Sequence, residues 1–319
     1  MPIYLNESLR QENMTAVFCA VADSGCETRA EIAAETGLSI VTVGKAAEAF
    51  LDVGLFQQKM SQKKGIGRKA SRLLLDTTRV LVVLDISGSD MVMTMFNMSF
   101  EQVESTWFHE MPDFSFRDNL RTFLYRVKAY MLSVPQYKYM AIGLVVPGRY
   151  DKATDSVLDA HDGFCEMRLR EFIKQVVGMP INMIIDGMTA SMRYCLGKCQ
   201  PSDNILLVSV SQDVGVRLAV GGKQLRGCSS VRMELKNDIP GQVADIVACA
   251  AAIVNLSSVF VQTESCPAWM EPDGMRELVA QRLTRNCEPP QLTVSNNRGF
   301  SQRGGALVLR RVFIERLMR

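Results

Sequence analysis

This 319-residue sequence has few histidines, no long apolar runs and a net charge close to zero. No run of about 18 consecutive apolar residues is present, which argues against a membrane-spanning helix, and the first residues lack the apolar core of a signal peptide. His109 and His161 are the only histidines, and neither lies in a recognisable catalytic or metal-ligand pattern. The formal net charge is +2, so affinity for a polyanion has to come from a local patch.

Nine cysteines are spread along the chain without metal-ligand spacing. Cys195 and Cys199 are the closest pair, at i and i+4 of a predicted helix. No histidine or further cysteine stands near them, which favours a structural role over a shared metal. With no export signal, we expect reduced thiols and a cytoplasmic protein.

The most informative stretch lies near the N-terminus, where two short helices are predicted around a tight turn. Thr28 or Glu27 can cap the first helix, and Glu31 completes a capping box with Thr28. Gly37 suits the left-handed residue that ends this helix, and Ser39 can cap the next one. This pattern is typical of a helix-turn-helix, although similar corners occur in helical domains that bind no DNA.

The second of these helices has one apolar and one polar face. Its apolar positions recur at i, i+4 and i+7, namely Val43, Ala47 and Phe50. Ser39, Thr42 and Lys45 lie opposite, where a recognition helix meets the major groove. We therefore expect Thr42 and Lys45 to contact base edges and Ser39 to contact a phosphate. Arg29, on the preceding helix, is a further candidate for a phosphate contact.

A basic segment follows these helices. Between Lys59 and Arg72 the sequence has six cations and no acid, whereas the rest of residues 1–78 has nine acids and three bases. With glycines at its tip, the segment predicts a hairpin that lays Lys63, Lys64, Arg68 and Lys69 along phosphates. A preceding helix from Glu7 to about Asp23 completes a winged helix over residues 1–78.

From about residue 79 the pattern changes to alternating strands and helices, which predicts an α/β sheet covered by helices. Residues 79–87 form a continuous apolar run, as a buried central strand requires. Further strands are predicted at 139–146, 181–186, 205–210, 215–220 and 259–262, and a closing helix at 304–318. Several strands end in Asp or Gly, where open α/β sheets bind their ligands.

The order of short motifs resembles the ROK family (repressors, open reading frames and sugar kinases), in particular its transcriptional regulators. The matching segments, in chain order, are Gly67-Arg68, Asp85-Ile86-Ser87-Gly88-Ser89, Val146-Pro147-Gly148, Ile185-Asp186, Arg226-Gly227 with Glu234, and Gly305-Ala306. The resemblance implies an α/β protein with an N-terminal winged helix-turn-helix over 1–78. A two-lobed actin-like, ribonuclease H-like ATPase fold follows over 79–319, shortened in the second lobe.

The phosphate loops and the metal site depart from this family pattern. The second phosphate loop reads Ser211-Gln212-Asp213-Val214-Gly215, and Asp213 places a negative charge against an anion. Asn237 stands where the family has a histidine ligand for zinc, and the family's cysteine cluster does not follow it. We therefore expect no catalysis, no cofactor and no bound metal.

Four residues lie where the resemblance places sugar contacts, namely Gly148, Asp186, Glu234 and Asn237. They predict a sugar-like effector, bound between the two lobes. An alternative is that Asp186 only caps the helix that starts near Met188, and that Glu234 is an ordinary surface residue.

The sequence thus predicts a DNA-binding transcriptional regulator, a repressor, that binds double-stranded DNA as a homodimer on a palindromic operator. Two alternatives remain open. One is an active sugar kinase with an added DNA-binding domain. The other is a regulator whose second part serves only oligomerisation or protein partners.

Overall fold

The computed structural model describes residues 2–60, 71–158, 160, 164, 167–178, 180–211, 213–225, 231–263, 272–283, 289–295 and 299–317. It begins with three helices, α1 (Pro2–Ala22), α2 (Arg29–Thr36) and α3 (Ile40–Asp52). An antiparallel pair of strands follows, β1 (Phe56–Met60) and β2 (Ser71–Leu75). These five elements are called the N-terminal unit below.

Local capping explains where the second and third helices begin and end. Thr28 Oγ1 accepts from the Glu31 amide at 3.2 Å, and Glu31 Oε2 accepts from the Thr28 amide at 3.0 Å, which confirms the capping box. Gly37 ends α2 with φ of +70°, a conformation that other residues rarely adopt. Ser39 caps α3. Each such cap is worth about 1 kcal/mol.

The N-terminal unit has its own aromatic core. Phe18 of α1, Phe50 of α3 and Phe56 of β1 are buried, with ring centroids 4.9–6.2 Å apart. Val43 and Ala47 are fully buried beside Phe50, as the apolar spacing of α3 predicts. The segment between β1 and β2, which contains Lys63, Lys64, Arg68 and Lys69, lies outside the described residues.

The next part of the chain forms a five-stranded sheet in the order β5-β4-β3-β6-β9. Its strands are β3 (Arg79–Asp85), β4 (Asp90–Asn97), β5 (Gln102–His109), β6 (Lys138–Val146) and β9 (Ile181–Asp186). The first three are antiparallel, and β6 and β9 run parallel to β3. The apolar run at 79–85 is therefore the central strand, as predicted.

Between these strands lie α4 (Phe116–Ser133), a small hairpin of β7 (Arg149–Asp151) and β8 (Ser156–Leu158), and α5 (Leu169–Val177). α4 and α5 cover one face of the sheet and share its core. The helix α6 (Gly187–Leu196) follows β9 directly and leads into a second sheet.

The second sheet has the order β12-β11-β10-β14-β15, with β13 also paired to β11. Its strands are β10 (Ile205–Val210), β11 (Asp213–Val220), β12 (Lys223–Gln224), β13 (Val231–Glu234), β14 (Ser258–Thr263) and β15 (Gln291–Ser295). Two helices accompany it, α7 (Ile239–Ile253) and α8 (Pro272–Arg282). Antiparallel strands followed by parallel ones thus recur in both sheets, which gives the two-lobed actin-like fold.

The last helix, α9 (Gly299–Leu317), starts earlier than the predicted 304 and packs on α6 and on the first sheet. Gly304 is required at this crossing because an added Cβ would lie 1.7 Å from the Ala190 carbonyl oxygen of α6. The apolar core of the N-terminal unit continues into α9 and the first sheet. A domain boundary at residues 78 and 79 therefore remains a prediction.

Candidate nucleic-acid interface and inter-lobe site

The outer face of α3 carries the residues predicted to read DNA. Lys45 is exposed, whereas Thr42 is only half-buried and its hydroxyl lies 2.9 Å from the Ser39 hydroxyl. Ser39 Oγ also accepts from the Thr42 amide at 3.1 Å. Ser39 and Thr42 therefore form a local pair, and Lys45 extends from the helix without a comparable contact among the described residues.

Two exposed apolar residues on the same helix were missed by the sequence analysis. Ile40 is 60% exposed and Val41 is 68% exposed, at the first two positions of α3. A helical projection places Val41 off the buried face, so the sequence could have identified it as solvent-facing. Ile40 projects on the same side as Val43 and Ala47, and it is exposed because it is the first residue of the helix.

The basic residues near α3 differ in their exposure to solvent and in whether they form an ion pair. Arg29 begins α2 and is partly buried. Lys59 on β1 is exposed, whereas Arg72 on β2 forms an ion pair with Glu27. Of the six cations in the predicted hairpin, Lys59 and Arg72 are the two that lie within the described part of the chain.

Arg310 connects the N-terminal unit to α9. Its guanidinium forms a bidentate ion pair with Asp23, which follows α1, with both N–O distances 3.0 Å. It also donates to the Met98 carbonyl oxygen at 3.2 Å and lies over the rings of Phe18 and Phe100. Arg310 is 8% exposed. Neither the sequence motifs nor local spacing indicated this contact.

In the first sheet, Asp85 ends the central strand at the predicted phosphate loop. Its Oδ1 accepts from the Ser87 amide at 2.9 Å and from the Ser87 hydroxyl at 2.6 Å. Its Oδ2 accepts from the Ser301 hydroxyl at 2.5 Å. The carboxylate is 1% exposed, so both of its oxygens are engaged by the protein itself.

The predicted second phosphate loop lies between β10 and β11. The Ser211 amide donates to the Asp213 carbonyl oxygen at 2.9 Å. Asp213 is the register partner of Glu234 on β13, so two carboxylates stand side by side here. Gln212 lies outside the described residues. This connection therefore lies beside acidic residues from two neighbouring strands.

Asp186 ends β9 and is held by two partners. Its Oδ1 accepts from the Thr189 amide at 2.8 Å, which caps α6. The same oxygen lies 2.8 Å from a terminal nitrogen of Arg217 on β11. This ion pair joins the first lobe to the second. The capping alternative for Asp186 is therefore present in the structure, together with a cation that the sequence analysis missed.

The other predicted effector residues are only partly brought together. Val146 on β6 is the register partner of Asp186 on β9. Gly148 comes two residues after Val146, and it is buried. Glu234 and Asn237 lie in the second lobe and are exposed. The described residues therefore place Gly148 near Asp186 along adjacent strands, while the inter-lobe contact is made by Arg217.

Cysteines and acids in the described parts of the chain form no cluster of three or more groups suited to a metal ion. Burial raises the pKa of Cys19 to about 11, with a further contribution from Asp23. Burial likewise raises the pKa of the Cys195 thiol, and nearby Cys199 adds to that rise. These thiols remain protonated near neutral pH, a form that binds metal poorly. None of the described helices has the length and apolarity to cross a membrane.

Comparison with solved structures defines the class of fold: an actin-like, hexokinase-type fold preceded by a helical N-terminal unit. Over 97% of this chain and 98% of the other, the structure is similar to a ROK family transcriptional regulator that is a homolog of the E. coli MLC protein, with TM-score 0.69 and 13% identity. No protein-family model matches the sequence, and no curated protein does.

Two further structures are similar over the two-lobed part. The ROK hexokinase from Thermus thermophilus matches 72% of this chain and 97% of its own, with TM-score 0.52 and 14% identity. A ROK family protein from Streptococcus pneumoniae TIGR4, solved in complex with sucrose, matches 72% and 97%, with TM-score 0.51 and 11% identity. At these identities the likeness establishes the fold.

Proposed function

We propose that this chain is a DNA-binding transcriptional regulator of the ROK type, a repressor, and that it does not catalyse phosphoryl transfer. The observation that carries the proposal is α3, a capped second helix of a helix-turn-helix that presents an exposed face ending in Lys45. Such a helix enters the major groove with its N-terminal residues against the bases. The full-length likeness to a regulator structure supports this choice over a kinase.

DNA binding would use two kinds of contact. Lys45 and Thr42 would read base edges, while the N-terminus of α3 at Ser39 and the side chain of Arg29 would meet phosphates. The basic hairpin would add Lys63, Lys64, Arg68 and Lys69 along the backbone. Because one such unit covers a half-site, we propose a homodimer on a palindromic operator of double-stranded DNA.

The absence of catalysis is supported by Asp186. A kinase base has to accept a proton from the attacked hydroxyl, but the Oδ1 of Asp186 faces Arg217 at 2.8 Å. The Thr189 amide and the Arg217 guanidinium both engage this oxygen, so a substrate hydroxyl would have to displace them. At the predicted phosphate loops, Asp85 is engaged by Ser87 and Ser301, and Asp213 stands in the second loop, where the resemblance places glycines that approach phosphate closely.

A sugar-like effector is the second part of the proposal. Arg217 Nε is buried and has no hydrogen-bond partner among the residues that the structure describes. A ligand oxygen that reached this nitrogen near Asp186 could accept from it, and a hydroxylated molecule between the lobes would supply such an oxygen. Such a ligand changes DNA affinity only if it binds one arrangement of the lobes more tightly than the other. The difference between those two affinities sets the largest possible effect.

The first experiment measures DNA affinity over a range of salt concentrations for the wild type, Lys45→Ala and Lys223→Ala. Lys223 is an exposed lysine of the second lobe and serves as the control. Lys45→Ala should weaken binding to a selected site by roughly 1–3 kcal/mol if it contacts a base, and Lys223→Ala should leave binding unchanged. Equal affinities for all three proteins would contradict the assignment of α3.

The second experiment measures ATP consumption with hexoses and amino sugars, together with the thermal shift that each sugar produces. We expect no turnover in the wild type. A sugar that raises Tm and alters DNA affinity would support the effector, and its effect should change in Arg217→Ala. Turnover that is lost in Asp186→Asn would instead favour the kinase. DNA binding with no response to any sugar would favour the oligomerisation alternative.

A further inference from the structure

The start of α3 exposes two neighbouring apolar side chains for which the fold itself gives no use. Ile40 and Val41 are 60% and 68% exposed; Val41 lies opposite the buried Val43 and Phe50, and Ile40 is exposed at the open N-terminal end of the helix. β-branched residues are slightly unfavourable in helices, and exposed ones gain nothing from burial. A partner that buries these side chains would therefore supply the stabilisation that the free protein lacks.

The polar groups nearest this pair are the hydroxyls of Ser39 and Thr42. They lie 2.9 Å apart, so one donates to the other and the second keeps its own hydrogen for a further acceptor. One turn further along, Gly44 has open space where a Cβ would stand, so it adds no side chain beside Ile40 and Val41. Lys45 follows and supplies a positive charge beside the apolar pair, which suits a polyanion that also offers apolar groups.

We infer that Ile40 and Val41 form a methyl-reading pair that selects thymines in each operator half-site. The C5-methyl group of thymine is the apolar group that the major groove offers, and aliphatic side chains contact it in sequence-specific complexes. The N-terminal residues of the second helix of a helix-turn-helix are the ones that meet base edges. This inference rests on the proposed function and adds the base that the site prefers.

The test begins with a site selected from random DNA by the full-length protein. Each thymine of one half-site is then replaced in turn by deoxyuridine, which removes only the methyl group. In the wild type, one or two replacements should weaken binding by about fourfold each, the effect expected for losing one buried methyl-sized group. Replacements elsewhere in the half-site should have no effect.

The same replacements are measured with Ile40→Ala, Val41→Ala, the double variant and Leu132→Ala. Leu132 on α4 is 74% exposed and serves as the control for removing an exposed aliphatic side chain. Each α3 variant should lose the response to its own thymine, and Leu132→Ala should retain the full response. All four variants should keep the wild-type Tm, because the altered side chains are exposed.

The outcomes separate this inference from the proposed function. If no DNA sequence is enriched, the proposed function fails and the inference fails with it. Specific binding that ignores every thymine-to-uridine replacement would overturn the inference alone. So would a uridine response that persists unchanged in the double variant, because another residue would then read the methyl group.

Discussion

Removal of Arg310 should destabilise the protein by about 3 kcal/mol. The bidentate pair with Asp23 and the bond to the Met98 carbonyl oxygen are charge-assisted, and such hydrogen bonds contribute about 1.5–3 kcal/mol. The two ring contacts, with Phe18 and Phe100, add about 0.5–1 kcal/mol each. The Asp23 side chain is 44% exposed, so water recovers part of the loss and the terms do not simply add.

The assay is urea unfolding of the wild type, Arg310→Ala and Arg311→Ala, with the free energy of unfolding taken from the linear dependence on urea. Arg311 is the matched control, since it is the next residue along α9 and pairs with Glu315 in an exposed position. We expect a loss of no more than about 0.5 kcal/mol for Arg311→Ala.

A double-mutant cycle with Asp23→Ala isolates the contact that joins the N-terminal unit to α9. We expect a coupling energy of about 1 kcal/mol. A loss below about 0.5 kcal/mol for Arg310→Ala, with no coupling to Asp23, would refute the argument that this arginine holds the two parts together.

Three further predictions concern packing, pH and thiol reactivity. Gly304→Ala should destabilise the protein by about 1–3 kcal/mol in the same urea assay, because its Cβ would meet the Ala190 carbonyl oxygen; Gly274→Ala, in open space on α8, should not. Burial acts to raise the pKa of Asp76, but hydrogen bonds from Thr78 and the charge of Arg79 outweigh it and hold that pKa below its ordinary 3.8. The ionised form is therefore favoured in the folded state, so Asp76→Asn should reduce stability at pH 7, and acid titration of unfolding should show this difference vanish as the pH falls through the lowered pKa. Among the described cysteines, exposed Cys249 should be alkylated before Cys19, whose pKa is about 11, as mass spectrometry of the native protein would show.

Local sequence signals predicted the elements whose causes are local. The capping box at Thr28, the left-handed Gly37 and the apolar spacing of α3 are each decided within a few residues, and the structure confirms them. The apolar strands were predicted for the same reason, since burial on both faces of a sheet leaves a continuous run. The polar strand β15, only part of which is buried, gave no such signal.

Contacts between distant segments could not be predicted in this way. Arg217 meets Asp186 across two lobes and 31 residues of sequence, and Arg310 meets Asp23 across 287 residues. Neither pair has a spacing pattern, so the sequence indicated only that Asp186 caps a helix or contacts a ligand. The structure shows the cap and adds the cation, which changes what the carboxylate can do.

The central claim, sequence-specific DNA binding, is tested most directly by selecting bound sequences from a random DNA pool at physiological salt. Our account predicts one enriched palindromic site, with half-sites one helical turn or a multiple of it apart, and weaker binding to that site by Lys45→Ala. A pool that shows no enriched sequence after repeated selection would contradict the account.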